Sequence, residues 1–205
     1  MDGTNVDAQL ALGNLMSRQN RPDAAARHFR EVVRLEPKHA IARVRLSQLF
    51  AQRNQLDEAE RWLRQVIDDH PDHAEAHFRL AKLASAQGKA VAAAKHYREV
   101  LRIDPNHVDT LNNLAWLLAT ADEPNVASHA DAMRLAEKAA QITKRRSAYV
   151  LDTLAVTQAA NGQFQRAIQT AQKARQLAAS AKNTGVLARI DGHLRLFEQR
   201  KTVTD

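Results

Sequence analysis

Cysteine is absent from this chain of 205 residues, and glycine (6) and proline (5) are scarce. With no cysteine there is no disulfide framework, no thiol nucleophile and no thiolate zinc site. The same absence selects no compartment, because a cysteine-free chain is stable in either redox environment. Few breakers beside abundant Ala, Leu, Arg, Gln and Glu argue for helix throughout. An all-β chain would need more turn residues and more β-branched or aromatic positions. Aromatics make up 4% of a chain that is 44% hydrophobic, so alanine and leucine must supply most of the core. No apolar run approaches the roughly 20 residues that span a bilayer, and residues 1–16 lack the basic region and apolar segment of a secretory signal. A soluble chain without a membrane span is expected.

The formal net charge of +7 is unevenly placed. Residues 1–140 carry 19 basic and 19 acidic side chains, whereas residues 141–205 carry 11 basic and 4 acidic ones. A basic C-terminal third can face an acidic partner, a membrane surface or nucleic acid, or it can be a solvated face of terminal helices. The last reading is preferred. Nucleic-acid binding through Lys144, Arg145, Arg146, Lys173, Arg175, Lys182 and Arg189 is disfavoured, because stacking on bases wants aromatics among the charges and this region offers only Tyr149, Phe164 and Phe197.

Internal repetition decides the architecture. Pro37, Pro71 and Pro105 stand 34 residues apart, and His39, His73 and His107 keep the same interval. So do Leu12, Leu46, Leu80 and Leu114, then Ala25, Ala59 and Ala93, then Phe29, Leu63 and Tyr97, and Val32, Val66 and Val100. Each period reads as two amphipathic helices. The first helix closes at Asn20, Asn54, Gly88 or Gly162, residues that tolerate left-handed backbone. The second ends before a proline that cannot continue it.

Leu12-Gly13, Ala25, Phe29 and Pro37 match the pattern of the tetratricopeptide repeat, and the chain resembles that family over nearly its whole length. Ser47 and Ala81 replace the glycine in the next two periods, which keeps that contact small. The resemblance implies an all-α, right-handed solenoid of about five helix–turn–helix repeats, at about 6–39, 40–73, 74–107, 108–147 and 148–181, forming one domain over 1–205. The fourth period departs from the pattern: five extra residues, with Pro124 among them, lengthen the joint at 121–131. The stretch LNNLAWLLAT with its long joint and LAEKA looks like the C-terminal part of bacterial multi-repeat proteins. A last helix at about 183–199, with a stripe of Leu187, Ile190, Leu194 and Phe197, is expected to cap the open end.

Catalytic signatures are missing. The glycines form no phosphate-cradling loop, and there is no nucleophile elbow or HExxH helix. No catalytic role, cofactor or small-molecule substrate is expected. His70, His73 and His77 lie beside Asp69, Asp72 and Glu75, and His73 and His77 have a spacing that can hold a metal. His73 belongs to a repeated column at an inter-repeat turn, so a turn or packing role is preferred over a ligand role.

Function is therefore expected on the solenoid surface. In this family the first helix of each pair lines the concave side. By that geometry the groove reads Leu10 and Asn14, Val44 and Gln48, Phe78 and Lys82, Asn112 and Trp116, then Tyr149 and Asp152, with Asn113 beside them. Phe78, Trp116 and Tyr149 are expected along one side as aromatic anchors, with amides to hold a ligand backbone, which suits a peptide or helix of a partner protein. Chaperone-binding members hold a C-terminal carboxylate with Lys and Asn, then Asn, then Lys and Arg. Here those places hold Leu10, Asn14, Arg45, Glu75 and Arg79, so only Asn14 and Arg79 agree and Glu75 would repel a carboxylate. A self-assembling scaffold, with homo-oligomers built through an end or the groove, is the alternative.

Overall fold

The computed structural model describes residues 5–123 and 126–203. Pro124, inside the lengthened joint, lies outside them. The described residues are helical, with no strand: α1 (Val6–Arg18), α2 (Pro22–Leu35), α3 (Ala40–Gln52), α4 (Leu56–Asp69), α5 (Ala74–Ala86), α6 (Ala90–Ile103), α7 (Val108–Thr120), α8 (His129–Ile142), α9 (Ala148–Ala160), α10 (Phe164–Ser180) and α11 (Thr184–Glu198). They fall into two compact units that divide between Leu83 and Ala84. The first holds α1 to α4 and most of α5, and the second holds the end of α5 and α6 to α11.

The joints follow from single residues. Asn20, Asn54, Gly88 and Gly162 all have positive φ, from 55° to 73°, which turns the chain sharply after α1, α3, α5 and α9. After α1 this reversal is closed by the Arg21 N–H, which donates to Met16 O at 2.9 Å. First helices begin differently from second ones. A side chain accepts from a free N–H of the first turn at Asn5, His39, His107, Ser147 and Asn183, whereas α2, α4, α6, α8 and α10 have no such cap.

In the first unit α1 packs on α2, α2 on α3 and α3 on α4. Ala25, Ala26, Phe29 and Val32 of α2 join Ala42, Leu46 and Leu49 of α3 in one buried cluster. Phe29 is fully buried against Gly13, where an added Cβ would lie 2.5 Å from its Cε1. The glycine is required by that ring. Val44, Leu63, Val66, Ala76 and Leu80 form a second cluster. Leu46, Leu80, Leu114 and Leu154 are buried, but Leu12 in the same column is 40% exposed. The face that α2 covers on α3 has no described counterpart covering it on α1.

A polar brace ties the α2–α3 turn to the end of α4. Arg43 on α3 is buried and donates from Nη1 to Asp69 Oδ2 at 2.6 Å and to Gln65 O at 2.8 Å. Lys38 Nζ lies 3.0 Å from Asp69 Oδ1. The Lys38 ammonium first, and the Arg43 guanidinium second, hold the Asp69 carboxyl below its ordinary value by hydrogen bonding.

In the second unit α9 lies among α7, α8, α10 and α11, and its residues 150–159 are buried without a break. Such a helix needs mostly apolar or small residues all round, and VLDTLAVTQA supplies them except at Asp152 and Gln158. The joint after α7 is partly packed: Val126 is buried, and Ser128 N–H donates back to Leu118 O at 3.0 Å. The α8–α9 turn has no closing proline and instead uses two left-handed residues, Lys144 and Arg145. The alanines of α10, at 167, 171, 174 and 178, are buried, and α11 packs on this helix and on α9. Ile190, Leu194 and Phe197 of the expected stripe are buried, and Leu187 is half-buried.

Gly13→Ala is expected to destabilise the protein by about 1–3 kcal/mol, the usual cost of overpacking a filled contact, read as a lower urea midpoint. An unchanged midpoint would show that Phe29 moves aside freely. Asp69 gives a pH-dependent test. Because its folded value is depressed, it contributes stability that is fully present above its unfolded value and is lost as pH falls through the folded one. Asp69→Asn should therefore be less stable than the parent near neutrality and converge with it below the carboxylate range, in urea melts taken as a pH series.

Candidate interaction surfaces

Two surfaces, one in each unit, bring together side chains that can recognise another chain. The first lies between the C-terminal halves of α1 and α3. A cavity of about 300 Å³ is lined there by Asn14, Ser17 and Arg18 of α1 and by Arg45, Gln48, Leu49 and Gln52 of α3, with Asn20 from the turn and Pro22 at the start of α2. Among the described residues no carboxylate lines it. Arg45 Nη1 donates to Gln48 Oε1 at 3.1 Å, which orients the amide. The chemistry is that of neutral amides, a hydroxyl and two guanidinium groups. Such a set can satisfy both donors and acceptors of a peptide backbone and favours an acidic neighbour.

The second surface is the face shared by α7 and α9, and α11 lies on it. Asp152 of α9 is fully buried, and each of its oxygens has one partner. Arg189 Nε donates to Oδ2 at 2.9 Å and His193 Nδ1 donates to Oδ1 at 2.8 Å. Arg189 also stands over the Tyr149 ring, with Cζ 5.2 Å from its centroid. The His193 ring is 5.6 Å from that of Trp116 and 6.2 Å from that of Phe197. Tyr149 Oη donates to Asn113 Oδ1 at 2.8 Å. Burial pushes the nearby Tyr97 phenol up to about 12, against an opposing hydrogen bond with Asn113, so Tyr97 stays protonated at neutral pH.

The residues expected to line a groove thus have different fates. Asn14 and Gln48 come together in the first cavity, while Leu10 packs half-buried against the cluster around Phe29. Val44 is part of the second apolar cluster. Phe78 is half-buried with Lys82 Nζ 5.8 Å from its ring centroid, both in the first unit. Asn112 and Asp152 are buried, Trp116 and Asn113 are half-buried, and Tyr149 remains 40% exposed. Sequence reasoning did not single out Arg18, Gln52 or His193 for a site. Arg189 and His193 do carry a signal, since they are i, i+4 neighbours directly beside the apolar positions Ile190 and Leu194.

The histidine column has a structural role. Nδ1 of His39, His73 and His107 accepts from the N–H of Ala42, Ala76 and Thr110, each at 3.2 Å, so each imidazole starts a helix. His77 Nε2 donates to Pro71 O at 2.9 Å. Among the described residues no three His, Asp or Glu side chains converge in a way that could hold a metal ion. No described helix is long and apolar enough to cross a membrane. Of the basic side chains near the C-terminus, Arg175 pairs with Asp191 at 2.6 Å and Arg189 with Asp152, so both are already neutralised.

Comparison with known proteins agrees with this architecture. Family models described as tetratricopeptide repeat match residues 16–85 and 74–107. Among solved structures, a crystal structure of MamA is 16% identical, with 89% of this chain and 96% of that chain covered at a TM-score of 0.71. A tetratricopeptide repeat protein from Parabacteroides merdae is 14% identical, covering 95% of this chain and 74% of that one at a TM-score of 0.77. YrrB, described as a TPR protein with an unusual peptide-binding site, is 15% identical, covering 89% and 94% at a TM-score of 0.70. No curated protein matches the chain in sequence. Residues 16–107 carry tetratricopeptide repeats, and the described residues share the all-α fold of tetratricopeptide repeat solenoids.

His107→Ala should cost about 1 kcal/mol through loss of the cap, while His107→Asn should keep most of it. Equal melts for the two variants would show that packing, not capping, holds this position.

Proposed function

We propose that the protein is a non-catalytic interaction module that binds an extended segment of a partner protein on the face shared by α1 and α3. The observation that carries this reading is the cavity there, in which Asn14, Gln48 and Gln52 meet Arg18 and Arg45 with no carboxylate among them. Amide side chains can pair with the N–H and C=O groups of an extended peptide whatever its sequence. The two arginines add a preference for acidic side chains, and guanidinium groups bind carboxylates in a fork geometry. Phe78 with its neighbouring Lys82 offers an aromatic anchor in the same unit. The likeness to YrrB, whose description includes a peptide-binding site, supports the reading at the level of fold.

An array of extended peptides that differ only in acidic content, probed with the intact protein, tests it. Acidic peptides should be retained over neutral and basic ones. For the best of them Arg45→Glu or the pair Asn14→Ala and Gln48→Ala should weaken binding at least tenfold, with Arg27→Ala on the exposed side of α2 as the control. Retention without charge preference, untouched by these variants, would sink the assignment.

A further inference from the structure

The second surface holds a feature that the interaction reading does not use. Asp152 is a carboxylate without exposed surface, and a charge so placed is costly unless it is paired and hydrogen-bonded. Both of its partners come from α11, which is separated from α9 in the chain by the whole of α10. The pairing is two-pronged. A guanidinium lies between the Asp152 carboxylate and the Tyr149 ring, the arrangement in which a planar cation gains from both a charge and a π-face. One helical turn later an imidazole takes the other carboxylate oxygen and lies against Trp116. Phe197, a further turn along, continues the same side of α11.

α11 occupies this face as a helical ligand would: a buried acidic centre flanked by two aromatic side chains is filled by residues at i, i+4 and i+8 of one helix. We propose that the face formed by Trp116, Tyr149 and Asp152 is a recognition surface for a helix bearing an arginine followed one turn later by an imidazole or aromatic ring. In this reading α11 is its resident ligand, and a partner helix of that pattern takes the face by displacing α11. The proposal rests on the protein being an interaction module, but it concerns a different unit and a partner of opposite charge from the acidic segment assigned to α1 and α3.

The probe is a fluorescent synthetic peptide with the sequence of residues 184–199, titrated into the full-length protein and followed by anisotropy. The parent protein should bind it weakly, because α11 competes at high effective concentration. The full-length double variant Arg189→Ala/His193→Ala, which removes both prongs of the resident helix and keeps its apolar stripe, should bind it at least tenfold more tightly. Adding Asp152→Asn should return the affinity to the parental level, and a peptide with alanine at the positions of Arg189 and His193 should bind neither protein. Hydrogen exchange of α11 should rise in the double variant while that of α7 and α9 stays protected, which separates release of the helix from general unfolding. Equal affinity of parent and double variant for the peptide, or a gain that survives Asp152→Asn, would overturn the proposal. Arg45→Glu leaves this assay unaffected, so failure here is distinct from failure of the acidic-peptide reading.

Discussion

A helix pair in this chain is amphipathic on more than one side, and it cannot bury all of its apolar surface against itself. The remainder must be covered by the next helix in line, and this demand organises everything else. Within a pair, the demand shows as a matched contact between a large residue and a small one. The Phe29 ring sits directly on Gly13, so close that no Cβ fits at that position of α1. Between pairs it shows as the leucine column, buried at Leu46, Leu80, Leu114 and Leu154 and open at Leu12, where no described helix lies over it.

The ends of the helices are shaped by the same economy. A left-handed Asn or Gly turns the chain into α2, α4, α6 and α10 without a capping side chain, whereas the return to a first helix begins with one. Histidine fills that role three times, through the nitrogen that must be unprotonated to accept a backbone N–H. What looks in the sequence like a store of metal-binding side chains is therefore committed to local structure. The Arg43–Asp69–Lys38 brace is a similar case, in which charged groups near one turn are consumed in holding it together.

At the C-terminal end the repeating solution changes. The second helices shrink to alanine faces, at 136 and 139 and again at 171 and 174, which bury little area per residue. The closing helix α11 compensates by using two kinds of contact. Its apolar stripe is buried with α10 and α9, and its polar neighbours Arg189 and His193 reach a carboxylate on the inner side of α9. A terminal cap thus takes the position where a groove was expected. The first unit keeps a cavity lined by amides and arginines.

Helix content, the 34-residue period and the left-handed joints were legible in the sequence, because each is a local property of residue type and spacing. Gly and Asn at a fixed position, proline at another and apolar residues at helical intervals leave few alternatives to paired helices. The expected cap was legible for the same reason, as a stripe of four apolar residues after the last period. What the sequence could not convey is which expected groove residues stay open. Asn14 and Asp152 both lie on the expected groove face of the first helix of their pairs, one turn apart in register, yet one lines a cavity and the other is sealed. The difference lies in which distant segment comes to rest over each, and for Asp152 that segment is a helix 37 residues further along the chain at the contact with Arg189. A contact of that separation is set by the summed packing of α9, α10 and α11, so only the tertiary structure decides it.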